Sequence, residues 1–344
     1  MTIKDIPRVV GIAWAEHSNR LDAISQALGG RAEKISWLSG KKYLAPMRYF
    51  VLGIRSLWRL GRLSPDVVVA QNPPVFCPLF AYLYTKVHRK KLIMDCHSLA
   101  MDKMKDGFVW RALANLESFL MRHTFSNTVI HETYSLVLAG LGIRSIVLYD
   151  SPPEINTSGR KSVKSLRVIC PLGGHPDEDI QGILEVAGIV EDLEVVVTGK
   201  WKTPIKHPRV KYLGFLPRER YLRELLSSRA GLCLIRGNTM TLPYVLFEFA
   251  AAGIPFVINE TPVTRVVGQS FLAKNIAQVA EKLEMMKDEN YYASLVSEVA
   301  ALREVLKGKN KEGLEKLRLA IHNNNNAKFK DMTISQDVEL HGSE

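Results

Sequence analysis

Short runs of β-branched residues alternate with longer amphipathic segments along most of the chain, and this alternation restricts the fold more than any other feature. A buried strand followed by a helix, repeated many times, is typical of a parallel sheet with helices on both faces. The expected fold class is therefore α/β, with doubly wound sheets. In the first half the predicted strands are 8–14, 66–71, 91–97, 127–132 and 144–150, and the predicted helices lie near 19–29, 46–62, 76–87, 108–125 and 133–141.

A polar segment interrupts this pattern at residues 151–165. It is rich in Pro, Ser and Lys without apolar periodicity, which is typical of a linker. We therefore expect two Rossmann-like domains, 1–150 and 166–321, facing one another across an interdomain cleft. The polar, low-complexity segment 322–344 predicts a disordered tail. In the second half the predicted strands are 166–172, 193–199, 210–215, 230–235 and 254–260, and the helices are 178–190, 217–228, 242–252, 275–288 and 289–321.

Cysteine usage and apolar runs bear on the compartment. The four cysteines are far apart among apolar neighbours, which favours buried free thiols in a reducing cytosol. The N-terminus shows no basic stretch followed by a long apolar run, so no signal peptide is expected. The uncharged segment 67–85 is long enough to span a bilayer. Three prolines interrupt it, at Pro73, Pro74 and Pro78, so it is interpreted as a strand ending in a loop. A cytoplasmic location is expected, with peripheral attachment to the inner face of the membrane as an open alternative.

The formal net charge of +11 favours anionic partners such as nucleotide phosphates, acidic lipid headgroups or nucleic acid. Acidic residues are spread among the basic ones, and no stripe combines aromatic and basic side chains, so nucleic acid is not expected. Neither half has a GxGxxG motif after its first strand, so the dinucleotide-binding fingerprint is absent. Ligands of open α/β sheets bind at the carboxyl ends of the strands. The informative residues should therefore lie just after strands.

In the first half, two strand ends carry candidate residues. His17, Ser18 and Arg20 follow the first strand. Ser18 or Asn19 is suited to cap the next helix, whereas the helix N-terminus and Arg20 could instead meet an anion, on the acceptor side or at a phosphate. His97 ends a strand whose apolar run marks it as central, and both a structural and a functional role are open.

In the second half, Gly173 and Gly174 follow a strand and permit either close backbone approach to a ligand or a tight turn. The acidic run 177–179 begins a helix, where acids favour the helix dipole, so capping rather than metal binding is expected. Lys200 and Arg236 follow two further strands. Basic residues so placed are candidates for a pyrophosphate clamp.

Glu248 is the single carboxylate in the otherwise apolar helix 242–252. A carboxylate in that position either faces solvent or accepts hydrogen bonds inside a cleft. The small residues and Gly253 that follow allow tight packing against a neighbour. A carboxylate can accept both hydroxyl protons of a ribose diol, so a cleft-facing Glu248 predicts a nucleotide ligand.

Three segments resemble GT-B glycosyltransferases of family 4. TMTLPYVLFEFAAAGIPFVI (239–258) resembles the donor-site segment of that family, and HPRVKYLGFLPRERYLRELLSSRAGLCLI (207–235) resembles the run leading to its nucleotide site. QNPPVFCPLFAYLYTKVHRKKLIMDCHS (71–98) is similar to the N-terminal half of the same enzymes, especially relatives that act on lipid-linked sugars. The resemblance implies a GT-B fold and transfer of a hexose-type sugar from a nucleotide-sugar donor to a glycan or lipid-linked acceptor. It implies no metal and no other cofactor.

The resemblance also implies roles for individual residues. Glu248 matches the Glu that holds the ribose, Gly173 and Gly174 match the glycine loop near the donor phosphates, and His97 matches the His near the donor sugar. Thr239 and Met240 join the predicted donor site because they lie in the matching segment.

The sequence also departs from the family pattern. Met240 stands where the family often has a second acid, and an acidic stretch replaces the usual Arg/Lys pair after the glycine loop. Lys200, Lys202, Arg236 and Arg265 are candidates to replace that pair; a degenerate relative without activity is the alternative.

Retention of configuration is expected because the family retains. The leaving nucleoside diphosphate would be stabilised by helix N-termini, the glycine amides and a cation. If the enzyme inverts, His97, Glu16 or His17 becomes the candidate base. Two other functions stay open: a GT-B-like protein that binds an anionic membrane or polyanion without catalysis, and a GT-B-like sugar-nucleotide epimerase.

The segment 41–62 is amphipathic and basic. One interpretation is a helix that packs its apolar face on the core and exposes its basic face. The other is an interfacial helix that contacts an anionic membrane and brings the enzyme to a lipid-linked acceptor. The residues on its basic face are Lys41, Arg48, Arg55, Arg59 and Arg62, and those on its apolar face are Tyr43, Met47, Phe50, Ile54, Leu57 and Trp58.

Overall fold

The computed structural model describes residues 7–38, 44–97, 107–158, 160, 163–201, 206–236 and 242–322. They form two compact units. The first unit contains the described residues up to Tyr149 together with those from Lys311 onward, and the second runs from Asp150 to Asn310. The sequence predicts a second domain that runs to residue 321, but residues 311–321 belong to the first unit. The predicted tail, 322–344, lies outside the described residues except for His322.

The first unit contains a six-stranded sheet in the order β2-β1-β3-β4-β5-β6, with every neighbouring pair parallel. Its strands are β1 (Val9–Ala13), β2 (Arg31–Lys34), β3 (Val67–Asn72), β4 (Lys91–Cys96), β5 (Ser126–Val129) and β6 (Ile146–Val147). The helices between them are α1 (Asn19–Ala27), α2 (Ala45–Leu63), α3 (Phe76–His88), α4 (Phe108–His123) and α5 (Glu132–Gly140).

The second unit contains another six-stranded parallel sheet, in the order β12-β11-β10-β7-β8-β9. Its strands are β7 (Arg167–Leu172), β8 (Glu194–Gly199), β9 (Val210–Gly214), β10 (Ala230–Cys233), β11 (Phe256–Asn259) and β12 (Leu272–Ala273). Its helices are α6 (Ile180–Ile189), α7 (Arg218–Leu226), α8 (Val245–Ala252) and α9 (Ile276–Met285), followed by the long α10 (Glu289–His322).

Each sheet has a topological switch point, where the strand order reverses direction. In the first sheet it lies between β1 and β3, and in the second between β7 and β10. Loops that leave the carboxyl ends of these strands diverge to opposite faces and open a crevice in which ligands of α/β proteins bind. The expected doubly wound α/β class is confirmed, and the switch points define where its functional residues should be sought.

Alternate residues of the first sheet enter two separate cores, as the period of two of a β-strand requires. Val9, Val67 and Val69 pack on one face with α1, and Val10, Val68 and Ala70 pack on the other with α2 and α3. The end of α10 completes the first of these cores through Leu317, Ala320 and Ile321. This burial explains why the residues from Lys311 onward belong to the first unit.

Sequence periodicity located ten of the strands and missed β2 and β12. β2 is an edge strand with the sequence RAEK, and its four residues are exposed or half-buried. A short edge strand has no need of an apolar run, so its sequence carries no strand signal. β12 has two residues. Local sequence does not predict either strand, because each is defined by its pairing with a neighbour, β2 with β1 and β12 with β11.

The uncharged segment 67–85 forms β3, a loop and the first part of α3, as predicted. Pro73 and Pro74 lie in that loop. In the described part of the chain, no helix combines the length and the apolar character that crossing a bilayer requires.

α2 lies against α3 through a glycine. A Cβ atom added at Gly53 would lie 2.3 Å from the ring of Phe80, so only glycine permits this approach. Leu52, Ser56 and Leu60 are buried on the same side of the helix. Gly61 lies on α2 as well, but a Cβ atom there would meet nothing within 4 Å.

Gly53→Ala is therefore expected to destabilise the protein by about 1–3 kcal/mol, because the added methyl group overpacks the α2–α3 contact. Gly61→Ala is the matched control and should stabilise by up to about 1 kcal/mol through helix propensity. Urea unfolding followed by tryptophan fluorescence checks both variants, since four of the five tryptophans belong to the first unit. Equal effects of the two substitutions would contradict this account of the packing.

Candidate functional site

Three of the predicted donor-site loops meet at the switch point of the second sheet. Gly174 follows β7 with a positive φ of +79°, and a Cβ atom on it would lie 2.3 Å from the carbonyl oxygen of Lys200, after β8. The amide of Arg236, after β10, donates to the carbonyl oxygen of Asp177 at 2.7 Å. The predicted residues Gly173, Gly174, Lys200 and Arg236 thus lie on adjacent loops. Thr239 and Met240 lie outside the described residues.

Glu178 and Asp179 of the acidic run 177–179 make different hydrogen bonds. Asp179 caps α6, because its Oδ1 accepts from the amide of Gly182 at 3.1 Å. Glu178 instead folds back onto the glycine loop, where its carboxylate accepts from the amides of Gly173, Gly174 and His175. The predicted capping role therefore holds for Asp179 but is wrong for Glu178.

The side chains of the two candidate cations are exposed. Lys200 Nζ lies 5.4 Å from the centre of the Phe215 ring, a distance at which a cation and an aromatic face attract. Arg236 is exposed at the end of β10. Because both side chains are exposed, their charges are accessible to an anion. Their action as a pyrophosphate clamp stays a prediction.

Glu248 lies in the first turn of α8 and is only 8% exposed, so it is not a solvent-facing residue. Two residues of α7 hold its carboxylate. Arg218 donates to Oε1, and the hydroxyl of Tyr221 donates to Oε2 at 2.6 Å. Burial raises the pKa of Tyr221 well above its usual value, and the neighbouring charge of Glu248 raises it further. Tyr221 therefore remains a hydrogen-bond donor to Glu248 at physiological pH.

Sequence reasoning missed Arg218 and Tyr221. They stand three residues apart at the start of α7, so they share one face of that helix. The segment that contains them, LPRERYLREL, is charged along its whole length, and nothing in it singles out these two side chains. Only the packing of α7 against α8 distinguishes them from Arg220 and Glu219.

Tyr244 adds a second phenol near the same carboxylate. It precedes α8, and burial, followed by the charge of Glu248, raises its pKa to about 12. Glu248 is thus surrounded by one guanidinium group and two neutral phenols. A carboxylate has about four lone-pair positions, so each oxygen keeps capacity for one more donor such as a sugar hydroxyl.

In the first unit, Arg20 forms a buried ion pair. Its Nε and Nη2 atoms donate to the carboxylate of Asp95 at 2.8–3.1 Å, and its Nη1 donates to the carbonyl oxygen of Leu148 at 3.0 Å. Ser18 caps α1 by accepting from the amide of Leu21 at 3.3 Å, which confirms the capping interpretation. His17 is exposed beside it. An anion-binding role for Arg20 or His17 stays a prediction, and Arg20 already serves a carboxylate of its own chain.

Asp95 lies on β4 and is completely buried. Burial alone would raise the pKa of its carboxyl group, but the charge and hydrogen bonds of Arg20 and the hydroxyl of Thr128 hold that pKa below its usual value. The Thr128 hydroxyl donates to Oδ1 at 2.6 Å. The charge of His97, two residues further on, lowers the pKa of Asp95 as well. Asp95 is therefore an anion that ties α1, β4 and β5 together.

A second buried acid lies near His97. The side-chain amide of Asn72, at the end of β3, donates to Glu117 of α4 at 2.6 Å, and both residues are at most 1% exposed. The carbonyl oxygen of Asn72 accepts from the amide of His97 at 3.4 Å. Asn72, Asp95 and Glu117 therefore surround the strand end that presents the predicted catalytic residue. Glu117 could not be recognised from the sequence, because it lies in the middle of an amphipathic helix.

Within the described ranges, no group of three or more His, Cys, Asp or Glu side chains is close enough to hold a metal ion. The four cysteines are unpaired with one another and buried. Independence from metals stays a prediction.

No family model matches the sequence, and no curated protein matches it closely enough to be reported. Solved structures do match. HepE from Anabaena, in complex with UDP-glucose, is 11% identical with a TM-score of 0.69, over 90% of this chain and 99% of that one. The lipopolysaccharide outer core galactosyltransferase WaaB is 12% identical with a TM-score of 0.60, over 91% of this chain and all of that one.

The chain has the GT-B fold. A Listeria monocytogenes protein assigned as a UDP-N-acetylglucosamine 2-epimerase shares it, at 12% identity and a TM-score of 0.58, over 92% of this chain and 97% of that one. Identities near 11% show a common GT-B architecture and leave membership in family 4 unconfirmed.

The Arg20–Asp95 pair leads to a stability prediction. Arg20→Ala should cost about 3–5 kcal/mol of unfolding free energy, because it leaves a buried carboxylate without its cation. Arg31→Ala removes a largely exposed partner of Glu33 and should cost less than about 1 kcal/mol. Urea unfolding at pH 7 compares the two, and a similar loss in both would show that the burial of Asp95 is unimportant.

The sign of the pH dependence follows from the lowered pKa of Asp95. Its contribution to stability is complete above the unfolded value of about 3.9 and is lost as the pH falls through the folded value. The stability difference between the native protein and Asp95→Asn should therefore be constant above about pH 5 and shrink as the pH falls from about 4 to about 2. Urea titrations across this range test it, and a constant difference would contradict the assignment.

Proposed function

We propose that this protein is a glycosyltransferase that moves a hexose-type sugar from a nucleotide-sugar donor to a saccharide or lipid-linked acceptor. The observation that carries the proposal is the glycine loop with two exposed cations at the second unit's switch point, together with the buried Glu248 of α8, in a chain with the GT-B fold. HepE, which shares that fold, was solved with UDP-glucose. No single one of these features would carry the proposal alone.

Glu248 is the proposed acceptor for the ribose hydroxyls. Arg218 and Tyr221 hold its carboxylate in place, and such preorganisation reduces the cost of binding. The remaining lone pairs can accept two hydroxyl protons of a ribose diol. Gly173 and Gly174 would supply amides to the diphosphate, with Lys200 and Arg236 supplying charge.

In the proposed reaction the bond between the anomeric carbon and the diphosphate oxygen breaks, an acceptor hydroxyl oxygen forms the new bond to that carbon, and the hydroxyl proton passes to the leaving diphosphate. Negative charge develops on the diphosphate as its bond to the sugar breaks. Backbone amides and cations that are already oriented stabilise such charge without reorganisation. We propose that configuration is retained and that no metal takes part. His97 is the proposed residue at the donor sugar.

α2 supports a lipid-linked acceptor and peripheral contact with an anionic membrane. Its buried side is Leu52, Gly53, Ser56 and Leu60. Of the apolar face named in the core-packing interpretation, Leu57 packs against the core. On the opposite side a stripe of large apolar side chains is open to solvent. These are Met47, Phe50, Ile54 and Trp58, which are 48–64% exposed.

Basic residues lie along one edge of this stripe. Arg59 and Arg62 are positioned over the Trp58 ring at 5.8 and 5.7 Å from its centre. Arg55 is exposed one turn earlier. An exposed apolar stripe bordered by arginines is typical of a helix that lies in the headgroup region of an anionic bilayer. A peripheral position at the inner face of the membrane is therefore part of the proposal.

Donor binding is tested by calorimetry with UDP, GDP, ADP and their sugar conjugates. Glu248→Gln should weaken binding of the preferred nucleotide about tenfold or more, because a hydrogen-bonded charge is lost. Glu219→Gln is the matched control, since Glu219 is exposed on α7 beside Arg218. Nucleotide binding that is unaffected by Glu248→Gln would disprove the ribose role. A donor that is isomerised without any acceptor would identify an epimerase instead.

Membrane contact is tested by cosedimentation with vesicles of phosphatidylcholine alone and with 30% phosphatidylglycerol. Binding should require the anionic lipid, and Phe50→Ser/Trp58→Ser should reduce it at least about tenfold. The control is Val305→Ser/Leu319→Ser, which removes two apolar side chains of similar exposure on α10. An equal loss of vesicle binding in both double variants would exclude the α2 surface as the contact. Binding only to vesicles of neutral lipid would exclude it as well.

A further inference from the structure

The glycine loop after β7 already contains an anion from its own chain. The amide of Gly173 donates to Glu178 Oε1 at 2.5 Å, and the amides of Gly174 and His175 donate to Oε2 at 2.9 and 3.1 Å. Three successive backbone N–H groups that converge on one point form an anion-binding nest. The nest is exposed at all three residues, whereas Glu178 is half-buried.

The backbone of this loop requires a glycine at position 174. Gly174 has a positive φ, and a Cβ atom there would collide with the carbonyl oxygen of Lys200. A Cβ atom on Gly173 would lie 2.5 Å from the His175 ring. A substitution at Gly174 would therefore disturb the backbone, whereas one at Gly173 would require the His175 side chain to move. Gly174 thus gives the nest a requirement of the backbone that is separate from the Glu178 side chain.

Glu178 is anchored separately from the loop it fills. Its backbone forms an antiparallel bridge with Ile235. On either side of it, the carbonyl oxygen of Asp177 accepts from Arg236, and the amide of Asp179 donates to Leu234 at 2.9 Å. The main chain around Glu178 is thus fixed to the end of β10, and only its side chain reaches the nest. A rotation of that side chain would empty the nest without unfolding either segment.

We propose that Glu178 is an internal competitor that occupies the anion site which a diphosphate must enter. A phosphate offers the same acceptor oxygens and negative charge as the carboxylate, so both fit the same three amides. Two anions within a few ångströms of each other repel, so they do not share the nest. Binding of the diphosphate therefore requires Glu178 to leave. This inference rests on the proposed function for the identity of the diphosphate as part of a nucleotide sugar.

The inference predicts a gain of affinity from loss of a side chain. Glu178→Ala and Glu178→Gln should each bind inorganic pyrophosphate about tenfold more tightly than the native protein, because charge-assisted hydrogen bonds no longer oppose entry. The preferred nucleoside diphosphate should gain similarly. Glu185→Gln removes the same charge from an exposed position on α6 and should change neither affinity. Calorimetry with both probes measures all four proteins.

The outcomes separate the inference from the proposed function. If Glu178 merely stabilises the loop, both Glu178 variants will bind pyrophosphate equally or more weakly than the native protein, and the inference is overturned. Glu178→Gln keeps a side-chain oxygen that can accept from the loop amides. It therefore still tests the effect of the negative charge on pyrophosphate affinity if Glu178→Ala folds poorly. If no nucleotide binds to any of the proteins while pyrophosphate affinity still rises, the inference stands and the proposed function fails.

Discussion

Three carboxylates that are buried or half-buried each have hydrogen-bond partners inside the chain, and these contacts help to organise both units. A buried charge without a partner costs several kcal/mol, so each one recruits a donor from a neighbouring element. Asp95 is held by Arg20 and Thr128, Glu248 by Arg218 and Tyr221, and Glu178 by the amides of the glycine loop. The polar groups closest to the switch points are therefore engaged before any ligand arrives.

The consequences differ among the three acids. The Arg20–Asp95 pair is almost completely buried and links α1 to β4, so it acts on stability. Glu248 is held by side chains that leave lone pairs available, so a ligand can add to the existing hydrogen bonds. Glu178 accepts from backbone amides, and each amide has only one hydrogen to donate. A ligand that binds these amides must therefore replace Glu178. An acid whose hydrogen-bonding groups are all occupied acts on stability. An acid with free lone pairs can bind a ligand, and an acid that occupies the ligand's own donors competes with that ligand.

α2 illustrates a different constraint. α2 packs against α3 through Gly53 and a few neighbours, so it uses a narrow face for this contact. The apolar residues outside that face are left to solvent unless another surface covers them. The sequence carries apolar side chains on two sides of α2, and periodicity alone gave no way to tell which side meets the core.

The alternation of strands and helices was enough to predict the α/β class, the two halves and most element positions. These features follow from local periodicity and from the rule that parallel strands need crossovers. The positions after β7, β8 and β10 were also predicted as candidate sites, since the carboxyl ends of strands are recognisable in the sequence. The resemblance to GT-B enzymes rested on the same strand ends and on the segment around Glu248.

The tertiary structure alone decided the partners of each charged group. Arg218, Tyr221, Asn72 and Glu117 were not predicted, because their importance comes from residues 27–45 positions away in the chain. It also decided that the end of α10 belongs to the first unit and that Glu178 faces the glycine loop rather than the helix dipole. Local sequence fixes which elements form, whereas pairing between distant side chains depends on how those elements pack.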